Sequence, residues 1–177
     1  MRTAFFLTMM VVLFIRCGSD PRPTMNTFFD IEVYFQEEIA KLEADRPNIN
    51  KITKFNYETE QIQTKDINWK QELHAFENSH INKPAWRDKY QIDSTFENGI
   101  SILTYTALDQ DLKTSNIEIR FDRNQKLTQL TIINGSDNFL YNDSEILTYF
   151  PDKSYSLVAE QSIFLLGKKH FEVTGEF

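Results

Sequence analysis

The run Asn116-Ile117-Glu118-Ile119-Arg120-Phe121, then Asp122-Arg123-Asn124-Gln125, then Leu127 to Ile133, decides the fold. Ile117, Ile119 and Phe121 alternate with Glu118 and Arg120, the period of two that places apolar side chains on one face of a half-buried strand. The polar quartet reads as a turn, and Leu127 to Ile133 returns as the partner strand. So short a return forces antiparallel pairing, because a parallel return needs about a dozen residues or more.

Working outward, Ile100, Ile102, Thr104 and Thr106 alternate with Leu103, Tyr105 and Ala107. Further strands are read at Phe139-Tyr141, Leu147-Phe150, Tyr155-Leu165 and Lys168-Thr174, with Leu166-Gly167 as a tight link. Asn134-Gly135-Ser136-Asp137 reads as a hairpin loop. Upstream, Ile49 to Lys65 is rich in β-formers around a polar Glu58 to Gln61, which predicts a hairpin turning there.

Two helices precede the sheet. The first starts near Phe28, capped by Asn26 or Thr27, and buries Ile31, Phe35, Ile39 and Leu42 at helical spacing. The second takes Asp66 as its cap, presents Trp69, Leu73 and Phe76 on one face, and ends at Asn82-Lys83-Pro84. The expected class is α+β: two N-terminal helices on one face of a twisted, mainly antiparallel sheet of about six to eight strands.

Composition narrows the function classes. The 177 residues carry 19 basic against 26 acidic groups, a net charge of −7, which argues against nucleic acid as a partner. Met1-Arg2 precedes an uncharged, mostly apolar run from Thr3 to Ile15, too short for a spanning helix but suited to an export signal. Arg16-Cys17-Gly18-Ser19 follows and contains the single cysteine. This junction resembles a bacterial lipoprotein signal of the relaxed kind used by Bacteroidota, although it has Phe14 where Leu is usual and Arg16 where a small residue is usual. That resemblance implies residues 1–16 as a cleaved signal peptide, Cys17 as the lipid-bearing first mature residue, and residues 17–26 as a flexible tether to a single domain over 27–177. Nine extended residues from Gly18 to Asn26 reach about 30 Å.

The segments Asp66-Ile67-Asn68-Trp69, Ile81-Asn82-Lys83-Pro84-Ala85-Trp86, Ile102-Leu103-Thr104-Tyr105 and Leu147-Thr148-Tyr149-Phe150-Pro151 are together similar to a group of uncharacterised Bacteroidota lipoproteins. The resemblance implies an envelope location, at the outer membrane, and carries over no functional residue.

Motifs for chemistry are scarce. The five glycines are scattered at 18, 99, 135, 167 and 175, which leaves neither a P-loop nor a dinucleotide fingerprint. Beyond Cys17 there is no thiol for catalysis, disulfides or zinc. Glu77 and His80 have an i, i+3 ligand spacing, yet a metal site would need another ligand that the sequence does not place. No metal or cofactor is expected, and the chain reads as a monomer. Aromatics are enriched at 14%. Trp69, Trp86, Tyr90 and Tyr105 are therefore candidate contacts for an apolar ligand or a partner, set against the alternative that they fill the core. The expectation is a lipid-anchored, non-catalytic envelope protein that binds a partner protein or an apolar ligand; the alternative is a small hydrolase-like enzyme with a carboxylate/His site.

Overall fold

A computed structural model describes residues 27–137, 141–163 and 167–177. The expected signal segment, Cys17 and the tether lie outside the described residues.

Nine strands form one antiparallel sheet: β1 (Ile49–Phe55), β2 (Glu58–Thr64), β3 (Tyr90–Glu97), β4 (Ile100–Ala107), β5 (Thr114–Phe121), β6 (Leu127–Asp137), β7 (Tyr141–Phe150), β8 (Ser154–Ile163) and β9 (Gly167–Glu176). The order across the sheet is β2-β1-β9-β8-β7-β6-β5-β4-β3. Strands β3 to β9 thus run as an uninterrupted meander, and the β1–β2 hairpin docks on the last strand. Because β2 and β3 are opposite edges, the chain between them must cross eight strand spacings, roughly 38 Å, over one face. That crossing carries the helices α2 (Trp69–Glu72) and α3 (His74–Glu77) and a 3-10 turn at Pro84–Trp86, and it lies beside the longer α1 (Ile31–Asp45).

Strand alternation supplies the core. Val173, Leu157, Leu147, Ile132, Ile117 and Tyr105 are paired side by side from β9 to β4 on the helix face. The adjacent row runs through Gly175, Tyr155, Tyr149, Leu130 and Ile119. At Gly175 a Cβ would stand 2.2 Å from the Tyr155 ring, so only glycine lets that ring lie flat against β9. Against these rows α1 buries Ile31, Phe35, Ile39 and Leu42, the four positions its sequence period selects.

The class differs from the sequence reading: the protein is a mostly β, nine-stranded antiparallel sheet with a few short helices, rather than the expected two-helix α+β arrangement. The sheet has nine strands rather than six to eight, partly because β3 falls where no strand is expected. Its side chains are exposed apart from Tyr90, so edge position hides the usual burial signal. Asn98-Gly99, both in the left-handed region, then turn it into β4. The second helix is two single turns broken at Leu73, and Asn68 caps it instead of Asp66, accepting from the Gln71 N–H at 3.1 Å. α1 begins at Ile31 with Asp30 as its cap. The first hairpin turns at Asn56-Tyr57, earlier than Glu58 to Gln61, with Phe55 opposite Glu58. Asn134 to Asp137 is no loop but part of β6, and Tyr141 to Phe150 is one strand rather than two.

The reason at Asn134 is tertiary. Its side-chain amide donates to Ser79 Oγ and to Glu145 Oε2, each at 2.8 Å, which ties α3 to β6 and β7. Ser79 in turn donates to the Ala75 carbonyl, and the Tyr90 hydroxyl to the Thr114 carbonyl, both at 2.7 Å. These fixed partners override the turn preference of Asn-Gly.

Candidate functional site

The helix layer covers only part of the sheet. It lies on one face, and a cavity of about 610 Å³ opens on the other, toward the end of β7, β8 and β9 that meets the β1–β2 turn. Strand register builds its floor as a grid of two rows. Asn142 lies opposite Ser162 and Ser162 opposite Lys168; one step along, Ser144 lies opposite Glu160 and Glu160 opposite His170. All six side chains belong to the face turned away from the helices, since the alternate residues Leu147, Tyr149, Tyr155 and Val173 face the core. Directly opposed side chains stand roughly 5 Å apart, close enough for one ligand to touch several.

The Asn56-Tyr57 turn forms the wall. Asn56 adopts φ 53, and its backbone N–H donates to the His170 carbonyl at 2.9 Å while its side-chain oxygen accepts from the His170 N–H at 3.1 Å. The turn is thereby stitched to β9 beyond the last ladder pair. Tyr57, relieved of any packing duty, is 103% exposed. Gln161 and Lys169 complete the described lining.

Charge in the cavity is mixed and unevenly neutralised. His170 Nδ1 is 3.8 Å from Glu160 and its Nε2 3.9 Å from Glu172, both longer than a hydrogen bond. Lys54 holds Glu172 at 3.0 Å. Among the described residues, no carboxylate pairs with Lys168 or Lys169; Lys168 shares the cavity face with Glu160 and His170, while Lys169 alternates to the opposite face.

The aromatic candidates sit elsewhere. Trp69 is 2% exposed, wedged edge-on against Tyr155 and Phe177. Tyr90 and Tyr105 are buried, and the Tyr105 hydroxyl accepts from the Phe29 N–H at 2.9 Å. Trp86 is half-buried with Lys83 Nζ 3.9 Å above its ring. None of the four lines the cavity.

The chain matches no family model, no curated protein and no solved structure. The site therefore has to be read from its own chemistry.

Buried tyrosines meet carboxylates on the helix side, in a structural arrangement. Tyr149 donates to Glu38 at 2.6 Å, and Tyr155 donates to Glu72 at 2.5 Å, whose other oxygen takes Lys51 at 2.7 Å. Burial, and then the carboxylate, push both phenols far above their ordinary range; burial alone brings Tyr90 up to about 12. Such groups stay protonated and pin the helices to the sheet. His80 Nδ1 stands 3.4 Å from Glu32 at the exposed start of α1, outside the cavity, and no group of three metal-ligating side chains occurs among the described residues.

A sequence signal for the cavity did exist. Asn142 to Glu145, Glu160 to Ser162 and Lys168 to His170 are polar on both faces, whereas the continuations of the same strands alternate. Two-sided polarity within a strand marks a sheet segment with no core on either face.

Proposed function

We propose that this is a lipid-anchored, exported binding protein of the cell envelope that acts without catalysis and recognises its target through the cavity at the bare end of the sheet. The observation that carries the binding role is the polar lining: ten described residues, none aliphatic, on an antiparallel scaffold with continuous strand pairing. The packed helix side supports a surface role over carriage of an apolar ligand, because Trp69, Phe35, Phe76, Tyr149 and Tyr155 fill the space between helices and sheet. The anchor is proposed on the lipoprotein-like junction at Cys17, and an outer-membrane location on the sequence resemblance to Bacteroidota lipoproteins. Among the described residues no helix is long and apolar enough to cross a membrane.

Two measurements test this. Cys17→Ala should abolish incorporation of labelled fatty acid, and unlabelled wild-type protein recovered in the soluble envelope fraction would refute the anchor. A photoreactive side chain in place of Tyr57 should give a discrete adduct in intact cells that Lys168→Gln with Lys169→Gln removes. The same probe in place of Leu108, exposed at the other end of the strand order, should give none. Equal labelling from the two positions would sink the assignment of the cavity.

A further inference from the structure

We infer that the cavity takes an acidic carbohydrate, a saccharide bearing a carboxylate; this rests on the binding role proposed above and specifies its ligand. The argument begins with hydrogen-bond capacity. Asn142 offers an amide, Asn56 the donor half of one, and Ser144 and Ser162 offer hydroxyls, so most of the described neutral lining on this face both donates and accepts. A sugar hydroxyl is the ligand group with the same dual capacity, and the two-row grid presents such side chains at the spacing of adjacent strands. A bare anion would use only donors and would leave the acceptor half of this set unmatched.

Tyr57 supplies the second element. A tyrosine with its whole ring in water at the wall of a cavity costs hydration free energy that a ligand can recover. The face of its ring carries negative quadrupole density, which attracts the polarised C–H groups on the flat side of a pyranose. The turn is fixed to β9 by the two Asn56–His170 hydrogen bonds, so the ring sits on a preorganised mount. An apolar ligand would also favour the ring, but it would strand the amides, hydroxyls and lysines around it.

The third element is charge. Lys168 and Lys169 have no carboxylate partner among the described residues, on a chain of net charge −7, whereas Lys51, Lys54 and Lys89 are each paired. The unpaired Lys168 on the cavity face, beside Glu160 as the one carboxylate of the described lining, favours a ligand with a carboxylate at one end and hydroxyls along the rest. The volume of about 610 Å³ lies within the range of small-molecule sites, roughly 300 to 1,000 Å³.

Calorimetric titration of the full-length protein in detergent tests the assignment with trigalacturonic acid, N-acetylmuramic acid and N-acetylneuraminic acid, beside neutral maltotriose and inorganic phosphate. At least one acidic sugar should bind saturably at millimolar concentration or below, and maltotriose at least tenfold more weakly. Tyr57→Ala, and separately Lys168→Gln with Lys169→Gln, should each weaken that binding at least tenfold while the melting temperature holds. Absence of saturable binding by all three acidic sugars overturns the ligand class, as does phosphate binding as tightly as the best sugar. If the sugars fail while the lysine variant still removes the Tyr57 adduct in cells, the ligand class is wrong and the binding role stands. If the adduct also persists in that variant, both are wrong.

Discussion

Strands β7, β8 and β9 have two halves that share every backbone rule and differ in what covers them. In one half Tyr149, Tyr155 and Gly175 lie side by side beneath α1 and α2; in the other, on the face turned away from the helices, Asn142, Ser162 and Lys168 lie side by side in water. Pairing is continuous through both, so the ladder hydrogen bonds cannot be what separates core from site. The difference is side-chain transfer energy: the covered half removes apolar area from water at about 25 cal/mol per Å², and the bare half removes almost none. On the cavity face the side chains of the bare half are largely exposed and available to a ligand. The boundary is marked by Asn134 and Glu145, paired across β6 and β7, where the last polar ties from the helix layer reach the sheet.

The sharpest way to break this comparison is at its covered end. Trp69→Ala should cost roughly 3 to 5 kcal/mol, from lost transfer energy plus the cavity left against Tyr155 and Phe177. Urea denaturation gives the value directly. An unchanged midpoint would mean that the ring does not belong to the core, and the division between halves would fail. A smaller effect is expected at Gly175, where an added methyl must push the Tyr155 ring off β9. Gly175→Ala should destabilise by roughly 1 to 3 kcal/mol, as overpacking does. Gly167→Ala is its control for space, with nothing within 4 Å of the added Cβ, though its φ of 85 adds some backbone strain.

The same contrast explains what the sequence disclosed. The stripe Ile31, Phe35, Ile39 and Leu42 and the β5–β6 hairpin were legible because a single buried face imposes a period on them. Trp69, Leu73 and Phe76 were legible as one face, but the break at Leu73 was not, since both helical turns keep the same spacing. Edge strand β3 escaped because seven of its eight residues are exposed. Asn134-Gly135 misled because its preference for a turn is local, whereas the Ser79 and Glu145 partners that hold it extended come from distant parts of the chain. For the cavity, residue types were visible and assembly was not. Asn56 and His170 are 114 positions apart, and only register brings them together.

Alkaline pH should erode the covered half selectively. Tyr149 and Tyr155 are raised by burial and by donation to Glu38 and Glu72, and Tyr90 by burial to about 12. An unfolded tyrosine ionises near pH 10, so above that pH the folded state holds more protons than the unfolded one. Their contribution to stability is therefore complete below about pH 10 and declines as pH rises beyond it. Denaturation midpoints at pH 9, 10 and 11 should fall in that order, with a shallower slope in Tyr155→Phe. A flat profile across this range would show that the phenols ionise as readily in the folded protein as in the unfolded chain.

At the bare end the expected effect on stability is the smallest, and that is what makes it informative. Tyr57 is fully exposed on a two-residue turn, and no ring or hydroxyl contact ties its side chain to the described residues. Surface substitutions away from caps, cores and networks change stability by about 0.5 kcal/mol or less. The hydrogen bonds that fix the turn belong to Asn56 and His170, and removing the neighbouring ring leaves them in place. Tyr57→Ala should therefore melt within about 2 °C of the wild type, given roughly 2 to 4 °C per kcal/mol for a domain of this size. A large drop in melting temperature would mean that the wall of the cavity is part of the protein's stabilising structure. The bare half would then be a second core in the making, and its polar grid would have to be explained by folding instead of by binding.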